Sequence, residues 1–301
     1  LAHCYRMSGS VSEAEDLVQE TYVRAWRAYA SFEGRSSTRT WLYRIATNVC
    51  LTAREKASRR PLPSGLFSAQ ARGDDSWSAV DESSMWIEPI PGGLLTDERA
   101  DPAAISAART GLRLGLIAVL QHLPANQRAV FILREVLQWR AKEVADVLDV
   151  SVAAVNSLLQ RARRRVDEIG LIEDAVMEPS SSDVQRQVEA YAAAFERSDI
   201  ASLVDLLVED ATFEMPPEPM WFDHRDDIGR FLAGKMHVPG TWQAVVTTAS
   251  TQPAVALYVD GTDGAPHIES LHVLTVGTGG ISRIVVFRAA AVIAPFAMSS
   301  A

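Results

Sequence analysis

Cysteine is scarce: Cys4 and Cys50 are the only two among 301 residues. Two thiols cannot build a disulfide framework, and a reducing, cytoplasmic compartment is the default for such a chain. Six histidines and two cysteines show no ligand spacing of the Cys-x-x-Cys kind, so no metal and no cofactor are expected. No apolar run approaches the roughly 18 uncharged residues of a membrane helix, so no membrane partner is expected either. The first residues lack the basic-then-apolar pattern of a signal peptide. Positive charge is in deficit as well. With 29 Lys and Arg against 38 Asp and Glu the net charge is −9, which at face value weighs against a polyanion such as nucleic acid.

The charge is segregated, and that changes the reading. Residues 1–60 carry 10 basic and 6 acidic side chains, and residues 112–170 carry 9 and 6. Residues 61–111 carry 3 and 8, and residues 171–301 carry 7 and 18. Two basic blocks alternate with two acidic ones, as expected if different parts meet different partners. Composition breaks at the same places. Residues 61–103 are rich in Pro and Gly without apolar periodicity, which predicts a connector too long for a loop inside one domain. Residues 171–182 end in a serine run and predict a shorter linker, with Ser182 or Asp183 capping the helix that follows. The expected organisation is therefore 1–60, a linker over 61–111, 112–170, a short linker over 171–182, and 183–301.

The first block reads as helical. Ser12 and Glu15 have the spacing of a capping box, and Ala14, Leu17, Val18, Thr21, Tyr22, Ala25 and Trp26 recur at three and four as a core stripe. Asp16, Gln19 and Glu20 fall on the opposite face. After a break at Phe32–Ser37, a second helix is expected over about 38–58, with Trp41, Tyr43 and Asn48 among Arg39, Arg44 and Arg54. Aromatics interleaved with cations suit single-stranded nucleic acid, because bases stack on rings while arginines follow phosphates. The same aromatics could equally form a core stripe.

The third block predicts a helix-turn-helix. Two amphipathic helices, over 112–123 and about 124–137, precede a segment at 139–148, a turn at Asp149-Val150-Ser151 and a helix from Val152 to about Glu168. Ala145, Leu148, Val150, Val155 and Leu158 are expected to pack the two helices together, with Ser151 as N-cap. The second helix presents Asn156, Ser157, Gln160, Arg161, Arg163 and Arg164 with no acid before Asp167. Such side chains bond to base edges and phosphates in a major groove.

Residues 183–301 start with helical spacing, and strand-like stretches follow at 211–215, 242–251, 254–259, 269–276 and 281–288. Gly277-Thr278-Gly279-Gly280 is a hairpin signal between the last two. Helices followed by antiparallel strands predict an α+β domain. Asp223, His224, His237, His267 and His272 are acid–base candidates by type, with Met215, Trp221, Trp242, Tyr258 and His272 as a candidate pocket, but no pair has diagnostic spacing.

Asp16-Leu17-Val18-Gln19-Glu20 with Arg39-Thr40-Trp41-Leu42-Tyr43-Arg44-Ile45-Ala46-Thr47-Asn48 resembles region 2 of the extracytoplasmic-function sigma factors of the sigma-70 family. Leu123-Pro124-Ala125-Asn126-Gln127-Arg128, with Ser157-Leu158-Leu159-Gln160-Arg161-Ala162-Arg163, resembles region 4. With residues 183–301 similar to the SnoaL-like branch of the NTF2-like fold, the chain resembles the sigma factor G-like group. The resemblance implies a multidomain protein, with two all-α sigma modules and an α+β SnoaL-like domain. It implies a transcription-initiation factor rather than an enzyme, with core RNA polymerase and promoter DNA as partners. Asp16, Gln19 and Glu20 would dock on the clamp helices of the polymerase β′ subunit. Phe32, Trp41, Arg44 and Asn48 would serve the −10 element, Phe32 and Asn48 at positions that hold a flipped base. Asn156, Ser157, Gln160 and Arg161 would read the −35 element, with Arg163 and Arg164 on phosphates. The acidic linker with Trp77, Trp86, Pro89 and Pro91 would thread near the polymerase active site and RNA exit path, or act as a plain spacer. The C-terminal domain would regulate this activity, with an unknown small ligand as a candidate effector. The rival reading is a SnoaL-like enzyme or ligand-binding protein fused to a DNA-binding module.

Overall fold

The computed structural model describes residues 1–34, 36–54, 60, 62, 86–95, 111–169, 181–218, 220–236, 242–261 and 265–297. Trp77, His237, Lys56, Arg59 and most of both expected linkers lie outside these residues. Contacts divide the chain into two compact units. One is Leu1–Pro61 with Gly93–Leu171; the other is Leu62–Gly92 with Ile172–Ala301.

The first unit is helical. It begins with α1 (Ala2–Ser8), α2 (Val11–Ala28) and α3 (Thr38–Arg54). Gly9, at φ +76°, closes α1 and leaves Ser10 extended at φ −133°. An N-cap needs that extended backbone, so Ser10 rather than Ser12 caps α2, its Oγ accepting from the Glu13 amide at 3.2 Å. Ser12 lies inside the first turn with its hydroxyl on that of Ser10, 3.1 Å away. The core stripe of α2 is also narrower than its spacing suggests. Ala14, Leu17, Thr21 and Ala25 are buried, whereas Tyr22 is 63% and Trp26 84% exposed. Four residues at three- and four-residue spacing already fill the arc of a helix that faces its neighbours, and the next column over points outward.

The second half of this unit holds α4 (Leu114–Gln121), α5 (Ala125–Phe131), α6 (Ala141–Leu148) and α7 (Val152–Ile169). A wide helical turn over Ile132–Val136 extends α5. Asp149 ends α6 in the left-handed conformation at φ 55° and ψ 47°, which Asp tolerates better than most residues. Ser151 then caps α7 by accepting from the Ala154 amide at 3.1 Å. The helix-turn-helix seam is shifted by one residue in places from that expected. Ala145 and Val155 are buried as anticipated, but Val144, Val147, Leu159 and Ala162 complete the seam. Val150 is 39% exposed, and Leu148 and Leu158 are half-buried. The reason is spacing: Val155, Leu159 and Ala162 lie at intervals of four and three and share one face.

The second unit packs helices against a sheet, an α+β arrangement. In order it contains α8 (Ser182–Glu196), α9 (Ile200–Asp205), β1 (Leu207–Glu214), β2 (Trp221–Phe222), α10 (Arg225–Lys235), β3 (Trp242–Ala249), β4 (Gln252–Asp260), β5 (Pro266–Gly277), β6 (Gly280–Phe287) and α11 (Ala290–Ile293). Ser181 caps α8, one residue before the expected position. The strand order is β2-β1-β6-β5-β4-β3, antiparallel throughout except for the parallel β1–β6 pair. Period two is visible where the helices pack. Ala211 and Phe213, Val255 and Leu257, and Ile284 and Val286 enter one core with Tyr191 and Phe195 of α8. Part of the acidic connector belongs to this unit. Ile90 accepts from the Ser250 amide at 2.7 Å and donates its own amide to Ser250 Oγ at 3.1 Å, and Pro91 bridges Ala249 at the β3 end. Trp86, Ile87 and Ile90 are buried there. The connector thus covers a stretch of sheet edge that would otherwise be open to pairing.

The β5–β6 hairpin turns through Thr278 and Gly279, with Gly277 opposite Gly280. Gly280 has φ +134°, and a Cβ there would lie 2.7 Å from the Leu206 carbonyl oxygen. Both the backbone angle and the backbone contact exclude a side chain. Gly280→Ala is therefore expected to cost about 2 kcal/mol or more, read as a lower midpoint in denaturant unfolding of the second unit.

Candidate nucleic-acid interface

Helix α3 sorts its residues by face. Arg44 and Asn48 are exposed, Trp41 is half-buried, and the three share one side at intervals of three and four, while Thr47, Val49 and Cys50 turn inward. Phe32, in the loop ahead of the helix, sits on Trp41 with ring centroids 4.8 Å apart and planes tilted by 33°. Arg39 lies 5.7 Å from the centroid of the Tyr43 ring. Phe32, Trp41, Arg44 and Asn48 are thus brought together as an aromatic and polar strip suited to stacking unpaired bases.

Helix α7 shows the same sorting. Val155, Leu159 and Ala162 are buried, and Asn156, Ser157, Gln160, Arg161, Arg163 and Arg164 are all exposed. Amide, hydroxyl and guanidinium groups on one open helix face can meet both base edges and phosphates. Arg163 also pairs at 2.8 Å with Glu135, in the turn that extends α5 of the same module.

On α2, Asp16, Gln19 and Glu20 are exposed, and Glu20 pairs with Arg24 at 2.6 Å. Beside them lies a surface absent from the expected site. Tyr22, Val23, Trp26 and Tyr29, between 43% and 84% exposed, line with Trp41 and Leu42 a groove of about 750 Å³. A contiguous apolar patch of this kind marks an interaction surface. The signal was in the sequence as excess width: the apolar column of Val18, Tyr22 and Trp26 is more than α2 needs to face its neighbours.

The candidate residues of the second unit do not converge in the same way. His272 is buried, with Nδ1 on the Tyr191 hydroxyl at 2.8 Å and Nε2 on the Ser270 hydroxyl at 3.1 Å. The Phe195 ring meets it edge-on at 5.0 Å, and Trp242 packs on the far side of Phe195. Burial lowers its pKa to about 3, with Arg288 adding in the same direction. Met215 shares the core. Trp221 is half-buried beside the fully buried Phe222 and so points to the other side of its strand, and the Tyr258 hydroxyl donates to the Phe296 carbonyl at 3.4 Å. Asp223 and His267 are exposed, and His224 caps α10 by accepting from the Asp226 amide at 3.2 Å. Among the described residues no three His, Cys, Asp or Glu side chains group as metal ligands, and no helix is long and apolar enough to cross a membrane.

The Sigma-70 region 2 family model matches residues 1–60, and the Sigma-70, region 4 model matches residues 113–166. Over 292 residues the chain is 45% identical to the ECF RNA polymerase sigma factor SigG of Mycobacterium tuberculosis, a match covering 95% of this chain and 77% of that protein. The chain belongs to the ECF RNA polymerase sigma factors. A second ECF sigma factor of the same organism, SigJ, is 28% identical over 250 residues, covering 80% of this chain and 71% of SigJ. The crystal structure of SigJ superposes with a TM-score of 0.64 at 23% identity, over 97% of this chain and 94% of that one. The fold of this ECF sigma factor, including its α+β unit, is therefore one already seen in a solved structure.

His272 gives the second unit a defined acid response. An unfolded imidazole titrates near 6.5, and this one stays neutral in the fold down to about 3. Below pH 6.5 the unfolded chain takes up a proton that the folded chain does not, so stability falls as pH drops through that window. The loss from this group is about 2 kcal/mol between pH 7 and pH 5. His272→Asn is expected to be less stable at pH 7 and to lose about 2 kcal/mol less than the parent over that interval, in urea titrations at the two pH values.

Proposed function

We propose that this ECF sigma factor brings core RNA polymerase to specific promoters in the cytoplasm and helps to open the −10 element. Residues 1–60 act as region 2, 112–170 as region 4, and 183–301 as a regulatory domain, joined by linkers at 61–111 and 171–182. Asp16, Gln19 and Glu20 contact the β′ clamp helices, and the neighbouring groove of Tyr22, Trp26 and Tyr29 supplies the apolar part of that contact. Phe32, Trp41, Arg44 and Asn48 capture unpaired bases of the −10 element, and holding an extruded base lowers the cost of opening the duplex. Asn156, Ser157, Gln160 and Arg161 read the −35 element, while Arg163 and Arg164 neutralise phosphates.

The observation that carries this reading is the sorting on α3 and α7. On α7 the residues that match the family's DNA-contacting positions are all exposed over a buried Val155, Leu159 and Ala162, and on α3 Arg44 and Asn48 are exposed with a half-buried Trp41 while Thr47, Val49 and Cys50 turn inward. Regulation by the C-terminal domain is supported by its acidic excess, 18 acidic against 7 basic residues over 171–301, which can screen basic faces. It is supported also by the hold of β3 on the connector at Ile90 and Pro91. A small ligand remains a candidate effector of this domain.

Run-off transcription with core polymerase tests the reading. The full chain is expected to direct transcripts from its own promoters, and no promoter-dependent product would refute it. Asn156→Ala and Arg161→Ala should each lower output by about 5- to 150-fold, the equivalent of 1–3 kcal/mol per lost base contact. Trp26→Ala should weaken binding to core polymerase with promoter preference unchanged. Removing residues from Pro179 onward should raise promoter-specific output; unchanged output would sink the inhibitory role.

A further inference from the structure

We infer that Cys4 and Cys50 form a dithiol site that hydrogen peroxide oxidises to a disulfide, joining α1 to α3 and lowering the output of the chain at promoters. The disulfide follows from the placement of the thiols alone; the loss of output rests on the sigma-factor reading above.

The sequence has two cysteines in 301 residues, and the fold brings them together. Cys4 lies on α1 and Cys50 on α3, helices that pack on one another. They are 2% and 0% exposed, and their thiols share a hydrogen bond. Neighbouring contacts bracket that meeting. His3, the residue before Cys4, puts Nε2 on the Thr47 hydroxyl at 3.0 Å, and its ring lies 5.1 Å from that of Tyr43. Tyr43, Thr47 and Cys50 follow at intervals of four and three, so they present one face of α3 to α1.

A buried cysteine by itself is a small apolar filler and inert. Mutual contact and an unequal setting distinguish this pair. Cys50 donates to the Cys4 sulfur, which holds the Cys4 thiol below its usual range and pushes that of Cys50 well above it, with burial adding to the second shift. Cys4 also lines, with His3, Val18, Leu42, Tyr43 and Ala46, a cleft of about 330 Å³, ample for an oxidant only slightly larger than water. Cys4 is thus the thiol that meets the peroxide and Cys50 the one that resolves it.

The chemistry balances in two steps. The Cys4 sulfur attacks a peroxide oxygen: an S–O bond forms, the O–O bond breaks, and hydroxide departs as water with the Cys4 proton. The Cys50 sulfur then attacks the Cys4 sulfenic acid: the S–S bond forms, the S–O bond breaks, and hydroxide departs as water with the Cys50 proton. The thiols lose two electrons and two protons, and one hydrogen peroxide becomes two waters. A dithiol reductant reverses the bond, as for the transient disulfides of a reducing compartment.

Closing the bond displaces α3. Sulfurs in hydrogen-bond contact sit at about van der Waals separation, whereas a disulfide holds them at about 2 Å. Shifts of α1 and α3 must absorb the difference, more than about 1 Å, while binding residues tolerate only about 0.5 Å. Arg44 and Asn48 stand on the outer face of the same helix, so the displacement reaches the strip they belong to.

The test treats the full chain with hydrogen peroxide, clears it with catalase, then unfolds, alkylates and digests the protein. Mass spectrometry is expected to find the Cys4 and Cys50 peptides joined, lighter by two hydrogens than their sum and separated by dithiothreitol. Recovery of both cysteines as alkylated thiols, or as oxygen adducts without the cross-link, would overturn the inference. The cleared protein also enters run-off transcription with core polymerase. Output should fall about 5-fold or more, the low end of what one lost base contact costs, and return with dithiothreitol. Cys50→Ala, which keeps Cys4 and every methionine, should hold its output through the same treatment. Unchanged output from the oxidised chain, or an equal loss in Cys50→Ala, would overturn the effect on promoters. If neither the reduced nor the oxidised chain makes product, the sigma-factor reading fails instead, and the peptide mapping still decides the disulfide.

Discussion

A buried guanidinium among backbone carbonyls organises the helical unit. The last carbonyls of a helix have no partner within it, and burying them unpaired is costly. Arg128 satisfies the carbonyls of Gln121 and Leu123 at the end of α4 and that of Met7 near the end of α1. Hydrogen bonds from a charged donor contribute about 1.5–3 kcal/mol each, so one side chain fixes the ends of two helices from different modules. Arg6 and Gly111 repeat the device from the opposite side. His3 extends it into α3, with Nε2 on the Thr47 hydroxyl at 3.0 Å and its ring 5.1 Å from that of Tyr43. The orientation of the aromatic and polar strip on α3 thus depends on contacts that lie behind it rather than on it.

That arrangement explains why the functional faces look as they do. Core contacts of α2, α3 and α7 are made by small or aliphatic residues at strict helical spacing, which leaves whole faces free for partners. On α2 the free face is acidic and aromatic, on α3 aromatic and basic, on α7 polar and basic. These are three distinct surface chemistries on three helices. The net charge of −9 conceals them, because two basic modules are outweighed by an acidic connector and an acidic C-terminal domain. The connector is itself divided, since Trp86 to Pro91 is held by the sheet of the second unit.

Much of this was legible in the sequence. The helix-turn-helix, its Asp149 turn and its Ser151 cap were readable because turn chemistry is local. The polar set on α7 was readable because no acid interrupts it. Errors arose where position depends on neighbours. Ser12 has the spacing of a cap, but the end of α1 at Gly9 makes Ser10 the extended residue. Tyr22 and Trp26 have the spacing of a core stripe, but nothing in the sequence says how much of α2 its neighbours cover. The parallel β1–β6 pair and the burial of Arg6 and Arg128 come from contacts over a hundred or seventy residues of chain or between modules, which periodicity does not encode. Of the proposed pocket residues of the second unit, Met215, Trp242 and His272 gather at the helix-covered core, whereas Trp221, beside the buried Phe222, and Tyr258 do not belong to it.

If the α3 strip opens promoter DNA as part of polymerase, permanganate mapping of unpaired thymines, with core polymerase and the full chain on a target promoter, will register it. Reactive thymines confined to the −10 region, present only when the chain is added and lost in Asn48→Ala, are the predicted result. Reactivity equal to that of core polymerase alone would contradict it.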